Sequence, residues 1–275
     1  MPPQINDIHK AWDALNKFRK YTISPDHERF IFPFLCGSYF TYRKIDVIRI
    51  FAIAKTISEN PTYLDVGCGY GDFLEKIREY IPNAEGIEKS AEIFYSIGKV
   101  KPNYIKIADA YYGIEKEYDI IFVGWMEPGV DYRDQISKSA KCIITTLDQG
   151  LSLAAEFDGH GFDKIASWTT PSWEDINIEI TNRYYSKIPN ELIQKLVNLR
   201  GAHNLWYVYC KPEWRKKIKN ALKLCLAEEF RKKNHEEYEF ETVLDNTGYR
   251  YFEMLKNPFA KHKLWDLVFD IDTKT

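Results

Sequence analysis

The feature that most constrains this chain is the stretch Thr62-Tyr63-Leu64-Asp65-Val66-Gly67-Cys68-Gly69-Tyr70-Gly71-Asp72-Phe73-Leu74. It predicts a buried strand ending in Asp65, a turn with glycine at alternate positions, and a helix whose first apolar contacts are Phe73, Leu74 and Ile77. Residues without Cβ adopt positive φ and let a ligand approach the backbone, while the first N–H groups of the following helix point into the same space. The stretch therefore reads as a ligand-binding turn between a strand and a helix of an α/β sheet.

Spacing narrows the ligand. A dinucleotide turn has the form Gly-x-Gly-x-x-Gly, with the last glycine packing the helix on the strand. Here the third glycine comes one residue early, and Asp72 occupies the expected position. With Asp65 just before the glycines, an anionic side chain there suits an ammonium or sulfonium better than a pyrophosphate. The Asp-x-Gly-x-Gly-x-Gly form resembles the first motif of class I S-adenosylmethionine-dependent methyltransferases.

Later segments support that resemblance in order. Ala84 to Ser90 reads as a short strand ending in Glu88, 17 residues beyond Gly71 and placed to accept both ribose hydroxyls. Tyr104 to Ala110 reads as a third strand closed by Asp109, and Asp109-Ala110 fits the family position that meets the adenine amino group. Tyr118 to Gly124 is a near-continuous apolar run, as a central parallel strand should be. Lys141 to Asp148 is the fifth strand, after a helix from about 131 to 138. The resemblance implies a doubly wound, mostly parallel α/β sheet of seven strands with the last antiparallel; 178–185 and 205–211 are the candidates for the late pair. It implies S-adenosylmethionine as cofactor, held by Asp65, Gly67, Cys68, Gly69, Gly71, Glu88, Lys89, Asp109, Ala110 and Gly124.

Around this core, expected to span 61–212, residues 1–60 predict a helical cap and 213–275 an extension packed on the domain or a partner. Ile8, Trp12, Leu15 and Phe18 mark one helix face, and Ile45 to Ile57 reads as a buried helix. Whether these helices lid the site or only pack on the sheet stays open. Trp214, Ile218, Ala221, Leu222, Cys225 and Leu226 mark an amphipathic helix near the end. Nine Lys or Arg against three Glu lie between Lys211 and Lys233, and four Glu follow. That face reads as solvated, with phosphate docking as the second reading.

The catalytic candidates sit where strands end. Trp125 reads either as a cation–π partner of the sulfonium or as an aromatic plug at the sheet edge. Glu127 and His160 are candidate bases, with His203 behind them, although methyl transfer from a sulfonium does not demand a base. Tyr39, Phe40, Tyr42, Trp125, Trp168 and Trp173 come from segments able to cover the strand ends, which favours a compact small-molecule acceptor methylated on O or N. RNA or protein methylation, and a non-catalytic cofactor-binding partner, are the alternatives. A net charge of −2 excludes a global field for nucleic acid or an anionic membrane. Five scattered cysteines without metal-ligand spacing, no signal-peptide pattern and no membrane-length apolar run predict a cytoplasmic protein without a metal. The oligomeric state has no signature in the sequence.

Overall fold

A computed structural model of the chain describes residues 42–96, 100–124, 126, 129–147, 157–170, 204–231 and 267–270. The chain divides into two units, and the unit comprising Lys44–Trp168, Leu205–His235 and Asp266–Thr275 carries nearly all of these residues. The other unit (Met1–Arg43, Thr169–Asn204, Glu236–Trp265) lies almost wholly outside them. So do the expected first helix, the strand expected at 178–185, His203 and Trp173.

The first unit opens with α1 (Lys44–Ile57), which has Asp46 in its first turn and Lys55 in its last, matching the helix dipole. Then come β1 (Tyr63–Val66), α2 (Asp72–Arg78), β2 (Glu85–Glu88), α3 (Glu92–Ser96) and β3 (Ile105–Ile107). After β4 (Tyr118–Gly124), α4 (Arg133–Ser139) and β5 (Ala140–Leu147) come β6 (Asp163–Thr170), β7 (Asn204–Cys210), α5 (Arg215–Arg231) and β8 (Val268–Phe269). The sheet order is β3-β2-β1-β4-β5-β7-β6-β8. The pairs β2–β3, β1–β2, β1–β4 and β4–β5 are parallel, while β5–β7 and β6–β8 are antiparallel. The chain winds outward from β1 to β3, then returns to the other side of β1 as β4. That reversal, between β1 and β4, is where open α/β sheets form a ligand crevice.

The fold is the expected mostly parallel α/β sheet with an antiparallel late strand, with two differences. Among the described residues it has eight strands, because Val268–Phe269 adds an edge to β6. The strand beside β7 is Asp163–Thr170; residues 178–185, the expected neighbour, lie outside the described residues. Within β6 the adjacent residues Ile165 and Ala166 are both buried. Helices α1 and α5, expected in the cap and the extension, belong to the same unit as the sheet.

Alternation in the central strands assigns each face a core. Leu64, Val66, Ile121, Val123, Ile143 and Tyr209 join Ile136 of α4 on one face. On the other, Phe73 of α2, Phe122 and Trp206 pack ring on ring at 5.2–5.9 Å, and Trp168 stacks on Trp206 at 5.6 Å with 7° between planes. The Trp168 indole N–H donates to Asp46 Oδ1 at 2.9 Å, and the Arg49 guanidinium lies 5.1 Å from its ring centroid. Arg49 in turn donates two hydrogen bonds, of 2.8 and 2.7 Å, to the Glu229 carboxylate of α5. Trp168 is thus an enclosed core residue fixing α1 to the sheet, not a cover for a ligand as its sequence position suggested.

Candidate functional site

The site is built from the segments that leave the carboxyl ends of β1, β2, β3 and β4. Val66 pairs with Val123, so Gly67 and Gly124 emerge side by side at the reversal point. Gly67, Gly69 and Gly71 have φ of 72°, 58° and 84°, a region that side-chain-bearing residues rarely occupy. The turn is tied to the sheet through Ile87 O, which accepts from Gly67 N at 2.9 Å and from Cys68 N at 3.1 Å. Gly71 brings α2 close to the sheet: a Cβ there would lie 2.6 Å from Ile105 Cδ1.

Acids from separate elements meet at this turn. Glu88, at the end of β2, accepts from Gly69 N at 3.0 Å through one carboxylate oxygen and from Lys89 N at 2.9 Å through the other. Asp65 is 3% exposed. Burial, followed by the charges of Asp72 and Glu88, pushes its carboxyl well above the ordinary range. Three carboxylates therefore share one small region, and a cation placed among them would relieve their repulsion. A pyrophosphate would add to it.

The end of β3 is joined to that of β2 by a hydrogen bond from Ala108 N to Glu88 O at 3.0 Å. Asp109 comes next, its side chain capping the 3-10 turn Ala110–Tyr112 by accepting from Tyr111 N at 2.9 Å. Lys89 Nζ lies 3.6 Å from Asp109 Oδ2, and Ala110 is buried. Asp65, Gly67, Cys68, Gly69, Gly71, Glu88, Lys89, Asp109, Ala110 and Gly124 are thus brought to one end of the sheet. The Cys68 thiol is pushed well up by burial and then by Asp65 and Glu88, so it is a packing group and not a nucleophile.

The catalytic candidates fare differently. Trp125 and Glu127 lie outside the described residues. His160 Nδ1 is 2.9 Å from Asp134 Oδ1, in the turn that precedes β6. The first residue of β6, Asp163, lies 3.7 Å from Arg215, just past β7, whose last residue Cys210 pairs with Cys142 near the start of β5. Through Asp134, His160 is tied to the start of α4, the helix that follows β4 in the chain. One residue escaped the sequence reading: Gly86, where a Cβ would meet Cys68 Sγ and Leu74 Cδ2, each at 2.7 Å. Its signal was a lone glycine inside a strand, which marks close approach of a neighbour.

No family model and no curated protein matches the chain. Among solved structures it is similar to an O-methyltransferase from a trans-AT PKS multienzyme of Brevibacillus brevis in complex with S-adenosyl-L-homocysteine, with 16% identity and a TM-score of 0.39, covering 74% of this chain and 83% of that one. Magnesium protoporphyrin IX methyltransferase from Synechocystis PCC 6803 with bound SAM aligns with 11% identity and a TM-score of 0.40, covering 73% and 90%. A ribosomal-protein methylase from Lactobacillus delbrueckii subsp. bulgaricus aligns with 11% identity and a TM-score of 0.36, covering 60% and 77%. At scores and identities this low, these proteins lend neither fold nor activity to the chain.

Proposed function

We propose that the chain is an S-adenosylmethionine-dependent methyltransferase acting on O or N of a small-molecule acceptor, with 61–212 as its cofactor-binding core. The observation that carries this reading is the convergence of Asp65, Asp72 and Glu88 on a turn whose three glycines all have positive φ. The residues fit the cofactor. Glu88 would accept its ribose hydroxyls, Asp109 its adenine amino group, and Asp65 and Asp72 would face its cationic methionine end. When bound, it supplies a methyl group already activated by a sulfonium. The chain's own task is then to align the acceptor and exclude water.

Trp125 and Glu127, one and three residues after Gly124, are the candidates for contacting the sulfonium and orienting the acceptor. His160, whose Nδ1 lies 2.9 Å from Asp134 Oδ1, is the second candidate base for a hydroxyl or amine acceptor. A macromolecular acceptor such as RNA draws support from exposed Lys216, Lys217 and Lys223 on α5. Against it, Arg215 lies 3.7 Å from Asp163, Lys219 donates to Asp270 O at 2.6 Å, and the Lys217 and Lys223 ammonium groups lie 5.0 and 5.7 Å from the Trp214 and Phe269 ring centroids, so four of the five cations on that half of the helix have partners within the chain. Among the described residues no helix is long and apolar enough to cross a membrane, and Cys68, Cys142, Cys210 and Cys225 are free thiols, which agrees with a cytoplasmic setting.

Calorimetry with S-adenosylmethionine tests the reading. The wild type should bind, and Glu88→Ala and Gly69→Val should each weaken binding while the protein stays folded by circular dichroism. Unchanged affinity in both variants would refute the cofactor assignment. Incubation with methyl-labelled cofactor and separated metabolite, RNA and protein fractions then asks which gains label; label in the RNA fraction, with a steep loss on added salt, would favour the second reading.

A further inference from the structure

Asp65 is held differently from the other acids near the glycine turn. Glu88 accepts from Gly69 N and Lys89 N, and Asp109 accepts from Tyr111 N, so backbone donors satisfy the charge of each. Asp65 is 3% exposed, yet no donor among the described residues hydrogen-bonds its carboxyl. The register gives the reason. Asp65 stands opposite Gly86 of β2 and Phe122 of β4, neither of which has a polar side chain. Two residues earlier, on the same face of β1, the Tyr63 hydroxyl is buried and likewise has no partner among the described residues.

The charges around Asp65 add to its isolation. Asp72 of α2 and Glu88 of β2 bear on it most, and both are negative. From its own strand and turn, the Tyr63 hydroxyl and the Cys68 thiol are pushed up by burial and then by Asp65, so both stay neutral. The Lys89 ammonium lies 3.6 Å from Asp109 Oδ2. A buried carboxylate with no donor and two like charges beside it is disfavoured against its neutral form.

A ligand cation would supply what is missing. Gly67, two residues beyond Asp65, is exposed, and a Cβ there would meet nothing within 4 Å, so the turn is open at that point. An ammonium brings positive charge and N–H donors together, whereas a sulfonium brings charge without a donor. Resting on the methyltransferase reading, we infer that ligand binding at this turn is coupled to proton release, Asp65 exchanging its proton for the α-ammonium of the cofactor's methionine end. The carboxyl O–H bond breaks, the proton passes to solvent, and the carboxylate accepts a hydrogen bond from the ammonium. One proton leaves for each ligand bound. Affinity then rises with pH, because the free protein holds a proton that the complex does not, and levels off once the free carboxyl is ionised.

Calorimetry on the full chain tests the coupling between about pH 5 and about pH 7, where the ligand's own carboxylate and ammonium keep their charges. S-Adenosylhomocysteine is titrated in paired buffers of low and high ionisation enthalpy, and the difference in heat counts the protons released. Wild type should release up to one proton and bind about tenfold more tightly at the upper pH. Asp65→Asn should release none, come within about twofold of wild type at the lower pH, and gain nothing towards the upper. S-Adenosylmethionine, which carries the same ammonium, should release as many protons as S-adenosylhomocysteine. 5′-Methylthioadenosine, with the nucleoside but no amino acid, should release none. An infrared difference spectrum of wild type should show a protonated carboxyl band lost on binding.

Wild-type binding without proton release or pH dependence overturns the inference and leaves the cofactor reading intact. Release by S-adenosylmethionine alone, which would put the sulfonium at Asp65, or by methylthioadenosine, does the same. Release that persists in Asp65→Asn assigns the proton to another group and overturns it too. Should that variant fail to fold, the infrared band decides: its loss supports the inference, and its persistence on binding overturns it. A wild type that binds neither S-adenosylmethionine nor S-adenosylhomocysteine removes the reading on which the inference rests.

Discussion

The two wings of the sheet are built on different terms. On the β1-β2-β3 side the strands are short, three or four residues each, and they run out into glycine and acid. On the β5-β7-β6 side the strands run to seven or eight residues, and a stack of indoles and phenyl rings fills one face. The first wing is constrained by backbone conformation and charge, the second by volume. Damage to the first should appear in ligand binding, and damage to the second in stability.

The largest expected effect is in the second wing. Trp206 lies within 6 Å, centroid to centroid, of Phe73, Phe122 and Trp168, and is fully buried. Trp206→Ala should cost about 3–5 kcal/mol in urea unfolding. If it still folds in the cold, its S-adenosylmethionine affinity should stay near that of wild type. A loss under about 1 kcal/mol would mean that the stack is not the anchor of that wing.

Next come two glycines of the same turn. At Gly71 an added methyl meets both a positive φ and Ile105 Cδ1 at 2.6 Å; at Gly67 it meets only the positive φ, with nothing within 4 Å. Gly67→Ala should therefore cost about 1–2 kcal/mol of conformational strain. Gly71→Ala should cost about 1–3 kcal/mol more for the clash. Equal losses on thermal unfolding would mean that Ile105 moves aside, and that the first wing is softer than its geometry implies.

The same division governs how much the sequence disclosed. Only glycine fits three alternating positive-φ positions without strain, so Gly67, Gly69 and Gly71 could be recognised without any tertiary information. Glu88 and Asp109 were legible because one ends a short strand and the other closely follows the next. Gly86 was not, since the need for it comes from Cys68 and Leu74 lying against the strand. On the other wing, β6 was harder to read because adjacent Ile165 and Ala166 are both buried, so it lacks the alternation of a half-exposed strand. Trp168 was misjudged for a related reason: residue type announces a large apolar ring but not whether Trp206 or a ligand will cover it.

Asp65 sharpens the comparison through pH. Its carboxyl titrates higher folded than unfolded, so the native state binds the extra proton, and stability falls as pH rises from the ordinary carboxylate value of about 4 through the raised one. Asp65→Asn removes that charge. It should match wild type at pH near 4 and be the more stable of the two at neutral pH, while binding S-adenosylmethionine less well. Saturating cofactor should flatten the wild-type decline by placing a cation among Asp65, Asp72 and Glu88. A neutral-pH stability equal to that of wild type would show that the three acids do not repel one another in the free protein.

The smallest effect belongs to Lys89. Its ammonium is 3.6 Å from Asp109 Oδ2, but both side chains are solvated, at 55% and 24% exposure, and an exposed pair of this kind contributes about 0.2–1 kcal/mol. Asp109 does not depend on it, being fixed by the 2.9 Å hydrogen bond from Tyr111 N. Lys89→Ala should therefore leave the melting temperature unchanged and alter S-adenosylmethionine affinity by no more than about threefold, an effect that fades as salt screens the pair in wild type. A tenfold loss that persists in high salt would require Lys89 to touch the ligand through its aliphatic stem, placing a packing contact in the wing otherwise governed by backbone and charge.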